Sequence, residues 1–233
     1  MRPWYARLER PVSLDGLNRL AEEAALRTAG GRPVRFVRPE PADPYYEVKV
    51  FETGCVQTRP DSLHDLFNAL AWLAFPRTKA RLNAMHAAEI PREGGRRGRL
   101  RDLLTILDEG GAIVAAPPAL ERLVRDFRWK ELFWERRDEV LRSMKVQVLG
   151  HAVLEQALDP RPGITCKVVF APPGASGDLH AEAWLKELPA HATPRDLPPL
   201  PIFGYPGWLP GSERVDFYDD ERYFRPLRRQ AAR

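Results

Sequence analysis

The chain has 233 residues, 44% of them hydrophobic, with 36 Lys+Arg against 32 Asp+Glu and a formal net charge of +4. That length supports one good core, and the composition lacks the low hydrophobicity and high charge of a disordered chain. Only two cysteines, Cys55 and Cys166, are available, which excludes a disulfide framework or a cysteine-based zinc site.

No apolar run approaches the roughly 18 residues of a membrane span. The longest, Leu66 to Phe75, carries Asn68 and stops at Pro76. The opening Met1-Arg2-Pro3-Trp4-Tyr5 lacks the uninterrupted apolar stretch of a signal peptide. These features predict a cytoplasmic protein without a membrane partner. Arginine dominates the basic residues, which a GC-rich genome produces by codon usage alone. A nucleic-acid partner would instead require the arginines to form a patch on one face.

In chain order, Ser13 caps a short amphipathic helix from Leu14 to Arg27. A proline loop (Pro39, Pro41, Pro44) follows, and partial alternation over Tyr45 to Phe51 predicts a strand. Asp61 or Ser62 caps a helix that runs to Phe75, with Asp65 near its positive end. Pro76 ends that helix and suits the first turn of the next, Arg77 to Glu89, so the two form a sharp corner. After a Gly/Arg loop (Glu93 to Arg101), the apolar runs 103–107 and 112–115 flank Asp108-Glu109-Gly110-Gly111, which predicts a β-hairpin. Helices are expected from Pro117-Pro118 to Phe127, from Trp129 to Met144, from Gly150-His151 to Leu158 and from Asp178 to Leu188, with a strand over Ile164 to Phe170. Val146 to Leu149 fits either a helix extension or a strand. From Pro189 the prolines exclude long elements, while Ile202, Phe203, Tyr205, Trp208, Phe217, Tyr218, Tyr223 and Phe224 anchor a wrapping tail.

The expected architecture is α+β: a single helix-rich domain over 1–233, with a small β-sheet or hairpin. Its core spans about 45–188, the proline- and aromatic-rich tail covers 189–227, and 228–233 is a disordered end.

Two polar faces stand out within apolar helices. His64 and Asn68 are four apart; Lys79, Asn83 and His86 are at i, i+4 and i+7. Buried polar groups left unpaired cost about 1–3 kcal/mol each, so such a cluster calls for a reason. One reason is a shared site: His64 as base or ligand, Lys79 and Arg77 holding an anion, Asn68 and Asn83 orienting the groups. The other is that these side chains cap and satisfy one another. Two histidines with a carboxylate would suit a divalent metal, with His64, Asp65, Asp108 and Glu109 as candidates, although no HExxH motif supports it. Asp108-Glu109-Gly110-Gly111 can also be simple turn chemistry. Gly150-His151 with Glu155 four residues on is a further His/carboxylate pair. No Gly-x-Ser-x-Gly elbow, Walker loop or Gly-x-Gly-x-x-Gly after a strand is present. The Gly94-to-Arg99 loop can cradle a phosphate with its arginine forks, and the Pro201-to-Trp208 run can form an aromatic binding surface, but solvated loop and tail packing are the better readings.

The run His64-Asp65-Leu66-Phe67-Asn68-Ala69-Leu70 through Trp72, then Phe75-Pro76-Arg77-Thr78-Lys79 and Leu82-Asn83, resembles a bacterial family catalogued only as a domain of unknown function. Leu104-Thr105 with Asp108-Glu109, Gly150-His151-Ala152 with Leu154-Glu155, and Pro206-Gly207-Trp208 extend the resemblance, as does Tyr218-Asp219-Asp220 with Phe224-Arg225-Pro226. It spans about Tyr46 to Arg228 and implies no activity, substrate or cofactor.

Two functions follow as expectations. The first is a hydrolase acting on a phosphate-containing or other anionic substrate, with His64, Asn68, Lys79 and Asn83 catalytic and Arg77, His86 and His151 binding. The second is a non-catalytic nucleic-acid- or protein-binding module that uses the arginine-rich surface or the aromatic tail.

Overall fold

The computed structural model describes residues 1–94 and 96–227. The expected disordered end, 228–233, lies outside the described residues. The chain is α+β. Its first part runs α1 (Arg2–Tyr5), α2 (Leu14–Glu23), β1 (Arg35–Val37), α3 (Tyr46–Thr53), β2 (Cys55–Gln57), α4 (Leu63–Ala74) and α5 (Pro76–Glu89). The second part runs α6 (Arg99–Gly110), β3 (Gly111–Ala115), α7 (Pro118–Arg125), α8 (Arg137–Ser143), β4 (Lys145–Val148), α9 (His151–Gln156), β5 (Thr165–Ala171), α10 (Gly177–Lys186) and β6 (Pro199–Pro201).

Four strands form a mixed sheet in the order β4-β3-β5-β6, with β3 and β5 parallel at its centre and antiparallel partners outside. Period-2 alternation sends the two sets of side chains to different cores. Ala112, Val114, Cys166 and Val168 join Leu120, Phe133 and the tail; Ile113, Val169 and Ala171 join Leu103, Leu104, Leu107 and Leu185. A third cluster gathers Phe36 of the β1–β2 pair with Leu17, Leu70 and Trp72.

Three expectations are corrected. Tyr45 to Phe51 is not a strand but helix α3, which Gly54 ends in the left-handed conformation at φ 78°, its N–H donating to the Val50 carbonyl. The partial alternation misled because buried Val50 and half-buried Tyr46, four residues before it, lie on one helical face against the core. Likewise 103–115 is no hairpin. Leu100, Leu103, Leu104 and Leu107 recur at helical spacing on the buried face of α6, and only 111–115 is a strand. Over Trp129 to Met144 a π-helical turn, Glu131–Glu135, precedes the short α8 instead of one continuous helix.

The corner between α4 and α5 is present. Ser62 accepts from Asp65 N at the start of α4, and Phe75 is the hinge residue. The N-terminus of α5 has no cap of its own; Asp178 of α10 supplies one, accepting from Arg77 N, Thr78 N and Thr78 Oγ1 at 3.1, 2.8 and 2.8 Å. The tail packs inward: Tyr218, Tyr223 and Phe224 are buried, with Tyr223 Oη donating to the Ile164 carbonyl.

One close approach fixes where α9 begins. Leu149 N and Gly150 N both donate to the Gly111 carbonyl at 3.0 and 2.8 Å, drawing the start of α9 onto the α6–β3 junction. A Cβ at Gly150 would stand 2.6 Å from the Glu109 carbonyl oxygen and from Gly110 Cα, so only glycine fits. Gly150→Ala should therefore destabilise the protein by about 1–3 kcal/mol, as overpacking against backbone does. Urea denaturation reads this directly, and an unchanged midpoint would contradict the packing.

Candidate functional site

An open cleft of about 480 Å³ lies where α3, α4, α5, α6 and α9 meet. Its walls include Tyr46, Glu47, His64, Asn68, His86, Asp108, Glu109 and His151, with Arg59, Arg97 and Arg101 also facing it.

Behind the cleft runs a buried polar spine. Lys79 of α5, 3% exposed, donates to Asn68 Oδ1 of α4 at 2.8 Å and to Asp108 Oδ1 of α6 at 2.5 Å. Its ammonium also lies 5.7 Å from the Trp72 ring centroid. Asn68 in turn donates to Tyr46 Oη at 2.9 Å. Asn83 Nδ2 donates to both the Glu47 carbonyl and Glu47 Oε2, at 2.9 and 2.6 Å. Arg101 donates to His86 Nδ1, Glu93 and Tyr45 Oη.

At the floor of the cleft, three residues from three helices converge. His64 is in the first turn of α4, Glu109 in the last turn of α6, and His151 opens α9. His64 Nε2 and His151 Nε2 are 3.1 Å apart; Glu109 Oε2 is 3.4 Å from the latter and 3.9 Å from the former. The rings meet edge to face, with centroids 4.5 Å apart. Each outer nitrogen faces another carboxylate: His64 Nδ1 lies 3.1 Å from Glu155 Oε2, and His151 Nδ1 lies 3.9 Å from Asp108 Oδ2. Buried His151 Nδ1 has no hydrogen-bond partner among the described residues.

Burial and charge set the protonation states. Burial holds the His151 and His86 imidazoles down to about 4, against the pull of Asp108, so both are neutral near pH 7. Burial alone would push Asp108 up, but Lys79 and His151 override it and keep the carboxyl below the ordinary range. Glu109 is raised by burial and by neighbouring Asp108. Glu47 is pushed up to about 7, chiefly by burial and then by Asp108.

Among the residues singled out from the sequence, His64, Asp65, Asn68, His86, Asp108, Glu109 and His151 line the cleft. Lys79 and Asn83 sit behind it in the spine. Arg77 is not among the lining residues; its guanidinium reaches Glu182 on α10. Asp65 is spent on Arg59, accepting from its guanidinium at 2.8 and 2.9 Å and from its backbone N at 2.8 Å. Glu155 partners His64 across 91 residues, not His151 on its own helix. Glu47, Tyr46, Arg59 and Arg101 went unnoticed in the sequence, while Arg97 belongs to the Gly94-to-Arg99 loop that can cradle a phosphate. For Glu47 the available signal was Gly54, which marks the end of a helix and would have placed that carboxylate on its buried face.

The chain belongs to the family described as a protein of unknown function, DUF3025, whose model matches residues 34–228. This is the kind of family the resemblance indicated. No curated protein and no solved structure matches the chain.

Glu47 yields a pH prediction. An acid whose folded value is raised binds more protons in the folded state, so its contribution to stability is present below its unfolded value near 4.5 and is lost as pH rises through about 7. Glu47→Gln should flatten this part of the stability profile, by up to about 3 kcal/mol for a shift of this size. Chemical denaturation of both proteins at pH 5 and pH 8 tests it; equal changes in the two would contradict a proton held at Glu47.

Proposed function

We propose that the cleft is the active site of a hydrolase acting on a phosphate-containing or other anionic substrate. The convergence of His64, Glu109 and His151 carries this reading. Three water-activating side chains, brought from three helices, meet in a space open to a small ligand, and His151 is desolvated to reach it. The buried spine supports it by fixing Asp108 and Glu109 on the last turn of α6. Glu47, with a proton near neutrality, is suited to pass that proton to a leaving group. Arg97 on the wall gives an anion a forked donor.

The alternative, a non-catalytic binding module, has less behind it. The tail aromatics Phe203, Tyr218, Tyr223 and Phe224 are buried in the core. Several surface arginines are matched locally, as in Arg125–Glu121, Arg136–Glu139 and Arg214–Asp216. A cytoplasmic setting is part of the proposal. Both cysteines are free thiols, and no helix among the described residues is long and apolar enough to cross a membrane.

The test is turnover of p-nitrophenyl phosphate, bis-p-nitrophenyl phosphate and nucleotide esters, with Mn²⁺ or Zn²⁺ supplied. Hydrolysis above the uncatalysed rate is expected, with a loss of about 10²-fold or more in His151→Ala, the scale of removing a positioned acid–base group. No turnover of any anionic ester, or turnover that His151→Ala leaves unchanged, would overturn the reading.

A further inference from the structure

The geometry points to a divalent transition-metal site formed by His64 Nε2, His151 Nε2 and the Glu109 carboxylate, with Glu155 as the positioning residue behind His64. This inference rests on the reading of the cleft as an active site and names the cofactor it would use.

Proton placement comes first. A carboxylate such as Glu155 can only accept, so His64 Nδ1, 3.1 Å from it, carries the ring proton. With that proton on Nδ1, His64 turns an Nε2 lone pair toward His151 Nε2, 3.1 Å away. The same logic holds on the other ring. His151 Nδ1 faces the Asp108 carboxylate at 3.9 Å, and a lone pair there would be repelled. With the proton on Nδ1, His151 also turns an Nε2 lone pair inward. Two imidazole nitrogens with inward lone pairs then lie 3.1 Å apart, with a third anionic donor beside them. Such an arrangement calls for a cation between them.

The separations match a metal ion. Ligands about 2.0–2.1 Å from a common zinc, at angles between 90° and tetrahedral, stand roughly 2.9–3.4 Å apart. The two nitrogens at 3.1 Å and the His151–Glu109 pair at 3.4 Å fall inside that window. His64 to Glu109, at 3.9 Å, needs only a small rotation of an exposed glutamate. Two imidazoles and one carboxylate favour Zn²⁺, Mn²⁺, Fe²⁺ or Co²⁺ over Mg²⁺ or Ca²⁺. Three protein ligands leave positions open toward the cleft for water and substrate, as catalytic metal sites require. Hydrogen-bonded carboxylates behind metal-bound histidines are the usual second layer of such centres.

A metal ion also supplies what an anionic substrate needs. Glu47, Asp65, Asp108 and Glu109 line the cleft together with Arg59, Arg97 and Arg101. Arg59 is paired with Asp65 and Arg101 with Glu93, so the protein alone presents little spare positive charge. A dication at the floor reverses that balance next to the reacting group.

The experiment is titration of the metal-free full chain with Co²⁺, followed by its visible absorption, together with the zinc content of protein dialysed against Zn²⁺. One equivalent should bind with the intense bands of a low-coordinate cobalt site. Binding should be lost in His64→Gln and His151→Gln, and Glu155→Gln should weaken it by about 10–100-fold while leaving the far-UV spectrum unchanged. Absence of a stoichiometric site in the parent, or affinity indifferent to all three substitutions, would overturn the proposal. The two readings separate cleanly. Metal binding without ester turnover sinks the hydrolase and keeps the site, whereas turnover undiminished in chelator-treated protein sinks the site and keeps the hydrolase.

Discussion

The ion pair between Lys79 and Asp108 is buried at the meeting of three helices, and much of the cleft is arranged by it. Taking two charges out of water costs several kcal/mol per ion, which is recovered only if the geometry is good and the remaining donors are satisfied. Here Lys79 has Asp108, Asn68 and the face of Trp72, while Asn68 passes its own amide protons to Tyr46. Such a network adds little net stability over an apolar core of the same shape. What it ties together is register: a slip of α5 against α4 or α6 would take Lys79 from Asn68 or Asp108 and leave a buried charge short of a partner.

The chemistry of the cleft follows from that register. Because Asp108 is held ionised by Lys79, its neighbours respond to a fixed negative charge in a dry setting. Glu47 and Glu109, already disfavoured as anions by burial, become harder still to ionise, and the outer nitrogen of His151 is encouraged to hold its proton. Burial meanwhile keeps His151 and His86 neutral. The sequence-adjacent pair Asp108 and Glu109 thus divides its roles. The first is locked into the spine and the second is left half-exposed at the floor, beside the imidazoles of His64 and His151. Gly150 completes the arrangement by letting α9 press onto the α6–β3 junction, which brings His151 to the end of the same helix.

The polar faces of α4 and α5 were legible in the sequence because helical spacing is strict and their apolar surroundings made them conspicuous. The sharp corner at Pro76, the cap at Ser62 and the inward-packed tail were legible for the same local reasons. The site itself was only half visible. His64, Asp108, Glu109 and His151 could each be named, yet their meeting depends on contacts across about ninety residues that no local pattern encodes. Two local patterns also misled. An Asp/Gly-rich segment that resembles a turn is here the end of α6, where the period of Leu100, Leu103, Leu104 and Leu107 outweighs the glycines. In Tyr46 to Val50, alternation of aromatic and β-branched residues imitated a strand, and so hid Glu47. Arg77 and Lys79 are neighbours in sequence, but the helix turns them apart. One reaches Glu182 on α10 and the other is buried behind the cleft.

The most direct test of the organising role of the buried pair is a comparison of Lys79→Met with Lys79→Met/Asp108→Asn by chemical denaturation. Lys79→Met alone leaves a buried carboxylate without its partner and should cost about 3–5 kcal/mol. Neutralising Asp108 in the same chain should return a substantial part of that loss. A single substitution costing less than about 1 kcal/mol, or a double variant no more stable than the single, would contradict an architecture built around this ion pair.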